Sequence, residues 1–132
     1  MNTSTHLDKI RLYFKSIEEG NYAPIADLFD PDAVMEQFPN RIYPKGISSG
    51  VTAMKEAFRK GRKLLSSQTY KIENYVVQGD NVAVEVLWTG RLAVAFGSLA
   101  AGTEMRCHSS MFFEFKNEKI NRQRNYDCFV PW

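Results

Sequence analysis

The chain has 132 residues and a net charge of +2, and 44% of its residues are hydrophobic. This length fits one domain, residues 1–132, and the charge is too small to predict binding to nucleic acid or to an anionic membrane. The sequence contains no run of 18 apolar residues, so no membrane span is predicted. The first residues, MNTSTHLDKI, do not resemble a secretory signal. The two cysteines, Cys107 and Cys128, do not make a disulfide framework, so reduced thiols and a cytoplasmic location are expected.

Apolar residues at helical spacing predict three helices, and alternating segments between turn signals predict five strands. The helices are predicted at 5–18, 22–29 and 51–65, and the strands at 33–38, 68–78, 81–92, 104–116 and 119–129. The small, apolar segment 93–103 is expected to be a covering loop or a single helical turn. Helices followed by mostly antiparallel strands predict an α+β fold, in which a long curved sheet wraps around the helices as a cone with one interior. Such an interior commonly holds a small ligand.

The order and spacing of four segments resemble a known family. The segments are EEGNYAPIADLFDPDAVMEQFP, GVTAMKEAF, NVAVEVLWTG and FFEFKNEKINRQRNYD. Together they resemble the nuclear-transport-factor-two-like fold of ketosteroid isomerases, limonene epoxide hydrolases and SnoaL-like polyketide cyclases. The stretches GSLAAGTEMRCHSSMFFEF and RQRNYDCF look most like a SnoaL-like branch. The resemblance implies a cone-shaped cavity, a small hydrophobic ligand and a homodimer formed through the outer face of the sheet.

The catalytic residues of the best-known relatives are mostly absent. By the resemblance, Tyr13 occupies the tyrosine position of ketosteroid isomerases, but Gln37 stands at the base position and Met111 at or beside the later acid. A glutamine amide cannot take up a proton at neutral pH. The positions of the epoxide hydrolase site are occupied by Val86, Trp88, Asn125, Met35 and Gln37. Neither of those two reactions is expected by its usual route.

The last two predicted strands are joined by Asn117 and Glu118. A two-residue turn there places Lys116 opposite Lys119, and stepping along both strands fixes the later pairs. Four predicted pairs are His108–Asp127, Ser110–Asn125, Phe112–Gln123 and, on the opposite face, Cys107–Cys128. A bulge or a longer turn would slip this register by one residue.

The pair of His108 and Asp127 is the predicted catalytic group. The resemblance places the Asn125 and Asp127 side of the last strand on the cavity face. A carboxylate beside an imidazole favours its protonated form and fixes its tautomer, which suits a general base near neutral pH. The alternative is an ordinary surface or rim ion pair.

Two groups of further residues are expected to line the cavity. The polar group is Tyr13, Gln37, Ser110, Gln123 and Asn125, and the apolar group is Met35, Met54, Phe58, Val86 and Trp88. The alternative for the apolar group is simple core packing, and for Tyr13 a packed ring whose hydroxyl finds water or a backbone carbonyl. The terminal residues FVPW are expected to seal the end or edge of the cavity.

These residues favour a small enzyme that moves a proton on a hydrophobic, carbonyl-bearing substrate, as an isomerase, a cyclase or a hydratase or hydrolase. His108 and Asp127 would move the proton, while Tyr13, Gln37 or Asn125 would hold the substrate oxygen. No cofactor motif and no metal-ligand spacing is found, so neither a cofactor nor a metal is expected. Two alternatives stay open: a non-catalytic module that binds a hydrophobic ligand, and a dimerisation module.

Overall fold

The computed structural model describes residues 3–132. Its helices and strands, in chain order, are α1 Thr3–Glu19, α2 Ala23–Leu28, β1 Phe29–Gln37, β2 Ile47–Ser49, α3 Val51–Leu64, β3 Leu65–Gln78, β4 Asn81–Leu92, β5 Glu104–Lys116 and β6 Lys119–Phe129. The six strands form one sheet in the order β2-β1-β6-β5-β4-β3. All neighbouring strands are antiparallel except β1 and β6, which run parallel. The predicted α+β fold, a curved sheet around helices, is confirmed. No helix within residues 3–132 is both long enough and apolar enough to cross a membrane.

Most of the predicted elements agree with the observed ones, and the differences lie early in the chain. β4, β5 and β6 have the predicted bounds, and segment 93–103 is a loop with a single bridge between Phe96 and Leu99. β1 begins at Phe29 rather than at residue 33, because Asp30-Pro31-Asp32, which follows the end of α2, is itself extended. The pairing of β1 with β6 is irregular between Phe29 and Val34, which accommodates a proline that has no N–H to donate. The short strand β2 was not predicted, because its Gly- and Ser-rich surroundings are typical of a loop.

The core lies between the concave face of the sheet and the helices. The buried residues of α1 follow helical spacing, with Leu7, Ile10 and Phe14 on the inner side. Alternate residues of β5, among them Met111 and Phe113, are buried on the facing side. Fully burying one such side chain stabilises a fold by about 1.5–3 kcal/mol relative to leaving it exposed, so this apolar contact holds α1 on the sheet.

A buried histidine also attaches α1 to the sheet. His6 is 0% exposed, and its ring stacks on that of Phe115 with 4.0 Å between the centroids. Its Nε2 atom lies 2.9 Å from Oδ1 of Asp80, in the turn between β3 and β4. This contact joins the first helix to residues that lie 74 positions further along the chain.

A bulge in β6 changes the register of the last hairpin. Asn117 and Glu118 form the predicted tight turn, with φ values of 49° and 65°, and Lys116 lies opposite Lys119 as expected. Phe115 then faces Ile120, but Glu114 faces Arg122, so Asn121 is an extra residue on β6. Beyond it, every pair is displaced by one residue from the predicted register.

The displacement makes all four predicted cross-strand pairs wrong. The observed pairs are His108–Cys128, Ser109–Asp127, Ser110–Tyr126, Met111–Asn125, Phe112–Arg124, Phe113–Gln123 and Cys107–Phe129. Side chains alternate between the two faces of a strand. A shift of one residue on one strand therefore places residues that were predicted as partners on opposite faces of the sheet. His108 and Asp127 therefore do not form a pair, and Cys107 and Cys128, both free, lie on opposite faces.

Candidate functional site

Two adjoining cavities lie inside the cone, between the helices and the concave face of the sheet. We call the first the polar compartment; it has a volume of about 220 Å³, and its lining includes Gln37, Cys107, Ser109, Asn125, Asp127 and Phe129. We call the second the apolar compartment; it has a volume of about 180 Å³, and its lining includes Ile25, Met54, Ala57 and Phe58. Tyr13, Met35, Gln68 and Tyr70 line both compartments. The two compartments are thus neighbouring parts of one interior.

A larger groove of about 650 Å³ lies between α1 and β3. Its rim carries exposed residues of both charge signs, including Arg11, Lys15 and Glu73. We place the candidate site in the interior instead, because groups removed from water are the ones whose proton affinities a protein alters most.

Among the residues that the structure describes, Asp127 is the only carboxylate in the lining of the polar compartment. Ser109, its partner across β5 and β6, donates a hydrogen bond from Oγ to Oδ1 of Asp127 at 2.5 Å. Burial raises the pKa of Asp127 above its ordinary 3.8, and the hydrogen bond from Ser109 offsets part of the rise. A half-buried carboxyl group with a raised pKa is better suited than a free one to take up and return a proton.

Further hydrogen-bonding groups line the cavity near Asp127 or lie buried behind its lining. Gln123 donates from Nε2 to Oδ1 of Asn125 at 3.0 Å, and both residues are buried. Within residues 3–132, the buried Oε1 of Gln123 has no hydrogen-bond partner. Burial raises the pKa of Tyr13 to about 12, a rise that the neighbouring Gln123 amide reduces. The Tyr13 hydroxyl therefore keeps its proton at neutral pH and can donate it in a hydrogen bond.

Aromatic side chains form one wall of the polar compartment and lead to the end of the chain. Trp88 and Phe129 both line the compartment, with their ring centroids 6.3 Å apart. Phe129 packs edge-on against Trp132, and the Arg41 guanidinium lies 4.1 Å from the centroid of Trp132. Of the segment FVPW, Phe129 lines the compartment, whereas Val130, Pro131 and Trp132 line a separate small cavity beside Leu99. That the segment seals the end of the cavity stays a prediction.

The structure brings most of the predicted site residues together. Tyr13, Met35, Gln37, Trp88, Asn125 and Asp127 line the polar compartment, and Met54 and Phe58 line the apolar one along with Tyr13 and Met35. Gln123 and Val86 are buried without being part of either lining. Participation of these residues in ligand binding stays a prediction.

Two predicted site residues lie elsewhere. His108 is exposed, and Ser110 is half-buried; both alternate with Cys107, Ser109 and Met111, whose side chains are buried on the cavity side of β5. The prediction that His108 and Ser110 face the interior is therefore wrong. The cause is again the bulge in β6, because the inward side of β5 was inferred from the pairing of His108 with Asp127.

Five residues of the polar compartment were not predicted to line the cavity. They are Gln68, Tyr70, Cys107, Ser109 and Met111. Gln68 and Tyr70 alternate along β3, a signal that the sequence does contain, whereas the choice between Ser109 and Ser110 depends on the register alone.

Burial raises the pKa of the Cys107 thiol to about 12, so this cysteine stays protonated and is a poor nucleophile. Within residues 3–132, no group of three or more His, Cys, Asp or Glu residues is arranged to hold a metal ion.

The fold is of the ketosteroid isomerase-like structural class, as comparison with solved structures shows. AclR, a candidate hydroxylase from Streptomyces galilaeus, is 14% identical with a TM-score of 0.82, over 98% of this chain and 83% of its own. IdmH, a candidate polyketide cyclase from Streptomyces antibioticus, is 17% identical with a TM-score of 0.78, over 92% of this chain and 91% of its own. A protein with a ketosteroid isomerase-like fold from Catenulispora acidiphila, solved with trimethylamine, is 15% identical with a TM-score of 0.72, over 89% of this chain and 83% of its own.

The family follows from the sequence match. The model of the SnoaL-like domain matches residues 10–123, and the chain belongs to the SnoaL-like domain family. The resemblance inferred from the sequence is thereby confirmed. No curated protein matches the chain in sequence. The family match ends at Gln123, so Asn125 and Asp127 lie just beyond it.

Proposed function

We propose that this chain is a cofactor-independent enzyme that moves a proton on a hydrophobic, carbonyl-bearing substrate held in the polar compartment. The observation that carries the proposal is Asp127: a half-buried carboxylate with a raised pKa, bonded to Ser109 and lining the polar compartment. Asp127 takes the acid–base role by itself, without a histidine. The SnoaL-like fold, which candidate polyketide cyclases and hydroxylases share, is consistent with small-molecule chemistry of this kind.

The proposed step is an enolisation. The free oxygen of Asp127 takes a proton from the carbon next to the substrate carbonyl, and the C–H electron pair moves to form an enolate. The Tyr13 hydroxyl, or the amides of Gln37 and Asn125, donates a hydrogen bond to the oxygen on which the charge develops. Protonated Asp127 then returns the proton to a second carbon in an isomerisation. In an aldol-type cyclisation, the enolate carbon instead attacks a second carbonyl, whose C=O electron pair moves to the oxygen, and protonated Asp127 gives its proton to that oxygen.

Ser109 has a defined part in this scheme. Its hydrogen bond occupies Oδ1 of Asp127, so Oδ2 is the oxygen presented to the substrate. The same bond stabilises the carboxylate form and keeps the pKa of Asp127 from rising as far as burial alone would take it. Ser109 is therefore a positioning residue that sets the pH range in which Asp127 acts as a base.

A direct test is hydrogen–deuterium exchange at the acidic carbon of 2-tetralone, a small bicyclic ketone, followed by NMR in D2O. The wild-type protein should catalyse the exchange, and Asp127→Asn should reduce the rate by about a hundredfold or more, the usual contribution of a general base. Ser109→Ala should move the pH–rate profile to higher pH. Asp32→Asn, which changes an exposed aspartate on β1, is the matched control and should leave the rate unchanged.

The second candidate function is ligand binding without catalysis. The amides of Gln37 and Asn125 and the apolar compartment favour it, because they would hold a carbonyl compound without moving a proton. Binding of 2-tetralone that persists in Asp127→Asn, with no exchange catalysed by the wild-type protein, would support the binding module and contradict the enzyme.

We also propose that the outer face of the sheet pairs with a second copy of the chain. Val34, Val76, Phe112 and Tyr126 expose 39–62% of their surface there. The ion pairs of Arg122 with Glu36 and of Arg124 with Glu114 lie on the same face. A face that combines exposed apolar groups with both charge signs can be complementary to itself, as a two-fold interface requires.

A further inference from the structure

The position of Trp88 in the cavity wall depends on a glycine. The six-membered ring of its indole lies against Gly90, two residues along β4, so that a Cβ atom added at Gly90 would come within 2.4 Å of Cη2 of Trp88. Leu65 would lie 3.2 Å from the same Cβ. Real Cβ atoms essentially never make a contact of 2.4 Å, and the 3.2 Å contact is tight, so the observed orientation of the Trp88 ring requires glycine at position 90.

The Trp88 ring in turn holds a glutamine of the neighbouring strand. Nε1 of Trp88 donates a hydrogen bond to Oε1 of Gln68 at 3.0 Å. Both residues are half-buried, and Gln68 lies on β3, across from β4. The bond uses the carbonyl end of the Gln68 amide, so its Nε2 donor remains for another partner.

Gln68 lies where the two compartments meet. It belongs to the lining of both, as do Tyr13, Met35 and Tyr70. Tyr13 and Tyr70 are anchored by aromatic contacts, Tyr13 to Phe29 and Tyr70 to Phe14. Met35 is flexible and adapts to a ligand, whereas Gln68 is held by the hydrogen bond from Trp88. Gln68 is therefore the polar group that a ligand longer than one compartment has to displace.

We propose that Gln68, held in place by Trp88 over Gly90, is a specificity-determining gate between the two compartments. With the gate in place, each compartment accepts a ligand of one or two rings. A polycyclic ligand, with its oxygen near Asp127 and Asn125 and its apolar rings near Met54 and Phe58, has to break the bond between Trp88 and Gln68. This proposal rests on the proposed function only in assuming that the same cavity binds the ligand.

Equilibrium dialysis with two unreactive phenols tests the gate. The probes are 2-naphthol, with two fused rings, and estradiol, with four. Gln68→Ala and Trp88→Phe should each lower the ratio of the Kd for estradiol to the Kd for 2-naphthol by about tenfold. One hydrogen bond that no longer has to be broken corresponds to roughly that factor. Trp88→Phe keeps an aromatic ring in the wall, so the two variants remove the bond from opposite ends.

Gln78→Ala is the matched control, because Gln78 is an exposed glutamine at the far end of the same strand. Its Kd ratio should equal that of the wild-type protein. The gate is refuted if neither Gln68→Ala nor Trp88→Phe changes the ratio, if Gln78→Ala changes it equally, or if the wild-type protein binds neither phenol. Because phenol binding involves no proton transfer, loss of the gate and loss of the Asp127 chemistry are separate results.

Discussion

At the scale of single residues, Asp127 is subject to two opposing effects. Burial favours the neutral acid, and the hydrogen bond from Ser109 favours the carboxylate. The net result is a raised pKa, which means that the folded protein binds this proton more tightly than the unfolded chain does. Residues adapted for chemistry often lower the stability of the fold in this way.

The raised pKa predicts a pH-dependent cost in stability. As the pH rises from about 3.8, the ordinary pKa of Asp127, through the raised value, the free energy of unfolding of the wild-type protein should fall. Asp127→Asn cannot lose a proton and keeps an Oδ1 that accepts the bond from Ser109. The variant should therefore be more stable than the wild-type protein at neutral pH.

Urea unfolding across this pH range measures the effect, with Asp32→Asn as the exposed control. A stability difference between Asp127→Asn and the wild-type protein that does not change with pH would contradict the raised pKa.

At the scale of elements, the last hairpin combines a tight turn with a bulge. The turn sequence Asn-Glu places a non-glycine residue at φ 65°, a region that glycine adopts without strain. The extra residue Asn121 then displaces the pairing by one residue from the register that the turn alone would give. This short stretch thus decides that Ser109, and not His108, faces the carboxylate of Asp127.

Two substitutions in turns should change stability in opposite directions. Glu118→Gly should raise the free energy of unfolding by about 1 kcal/mol, because it relieves the strain of a left-handed backbone. The bond from Lys9 to Glu118 is accepted by the backbone oxygen and is retained. Gly79 lies at φ 57° in the turn between β3 and β4, where an alanine would be strained. Gly79→Ala should therefore lower the free energy of unfolding by about 1 kcal/mol.

Nothing lies within 4 Å of a Cβ atom built at Gly79, so this second effect measures backbone strain alone. Urea denaturation of both variants gives the two values. If both substitutions changed the free energy of unfolding in the same direction, the assignment of strain to these φ angles would be contradicted.

At the scale of the whole molecule, the sheet has two different faces. The concave face carries the core and both compartments, while the outer face presents aromatic and charged groups. Phe38 and Tyr126 stack there with their ring centroids 4.6 Å apart, and Phe112 packs edge-on against Tyr126. A packed aromatic group that faces outward is typical of a protein interface.

The proposed dimer predicts a specific response to charge. Light scattering after size-exclusion chromatography should give the wild-type protein twice its chain mass of 15.1 kDa. Phe112→Lys should give the monomer mass, because a lysine at the centre of the interface would lose its hydration without gaining a partner. Leu12→Lys, at a similarly exposed apolar residue on α1, should leave the dimer intact. A wild-type mass of 15.1 kDa would refute the dimer.

The sequence by itself predicted most of the elements and the class of fold, and its resemblance to a known family placed Tyr13, Gln37, Asn125 and Asp127 in one interior. Helical spacing in α1 and alternation in β4 and β5 are local patterns that predicted those elements. These patterns succeed because burial of one face requires them whatever the neighbouring element is.

Only the tertiary structure decided which groups meet inside the cone. The bulge at Asn121, the contact of Ser109 with Asp127 and the bond from Trp88 to Gln68 depend on the register in which neighbouring strands pair. A single extra residue in one strand changes every cross-strand partner beyond it. The alternation of apolar and polar residues along each strand does not reveal that change. Proton affinity at Asp127 likewise arises from burial and from a partner 18 residues away, so it belongs to the assembled fold and not to any segment of the chain.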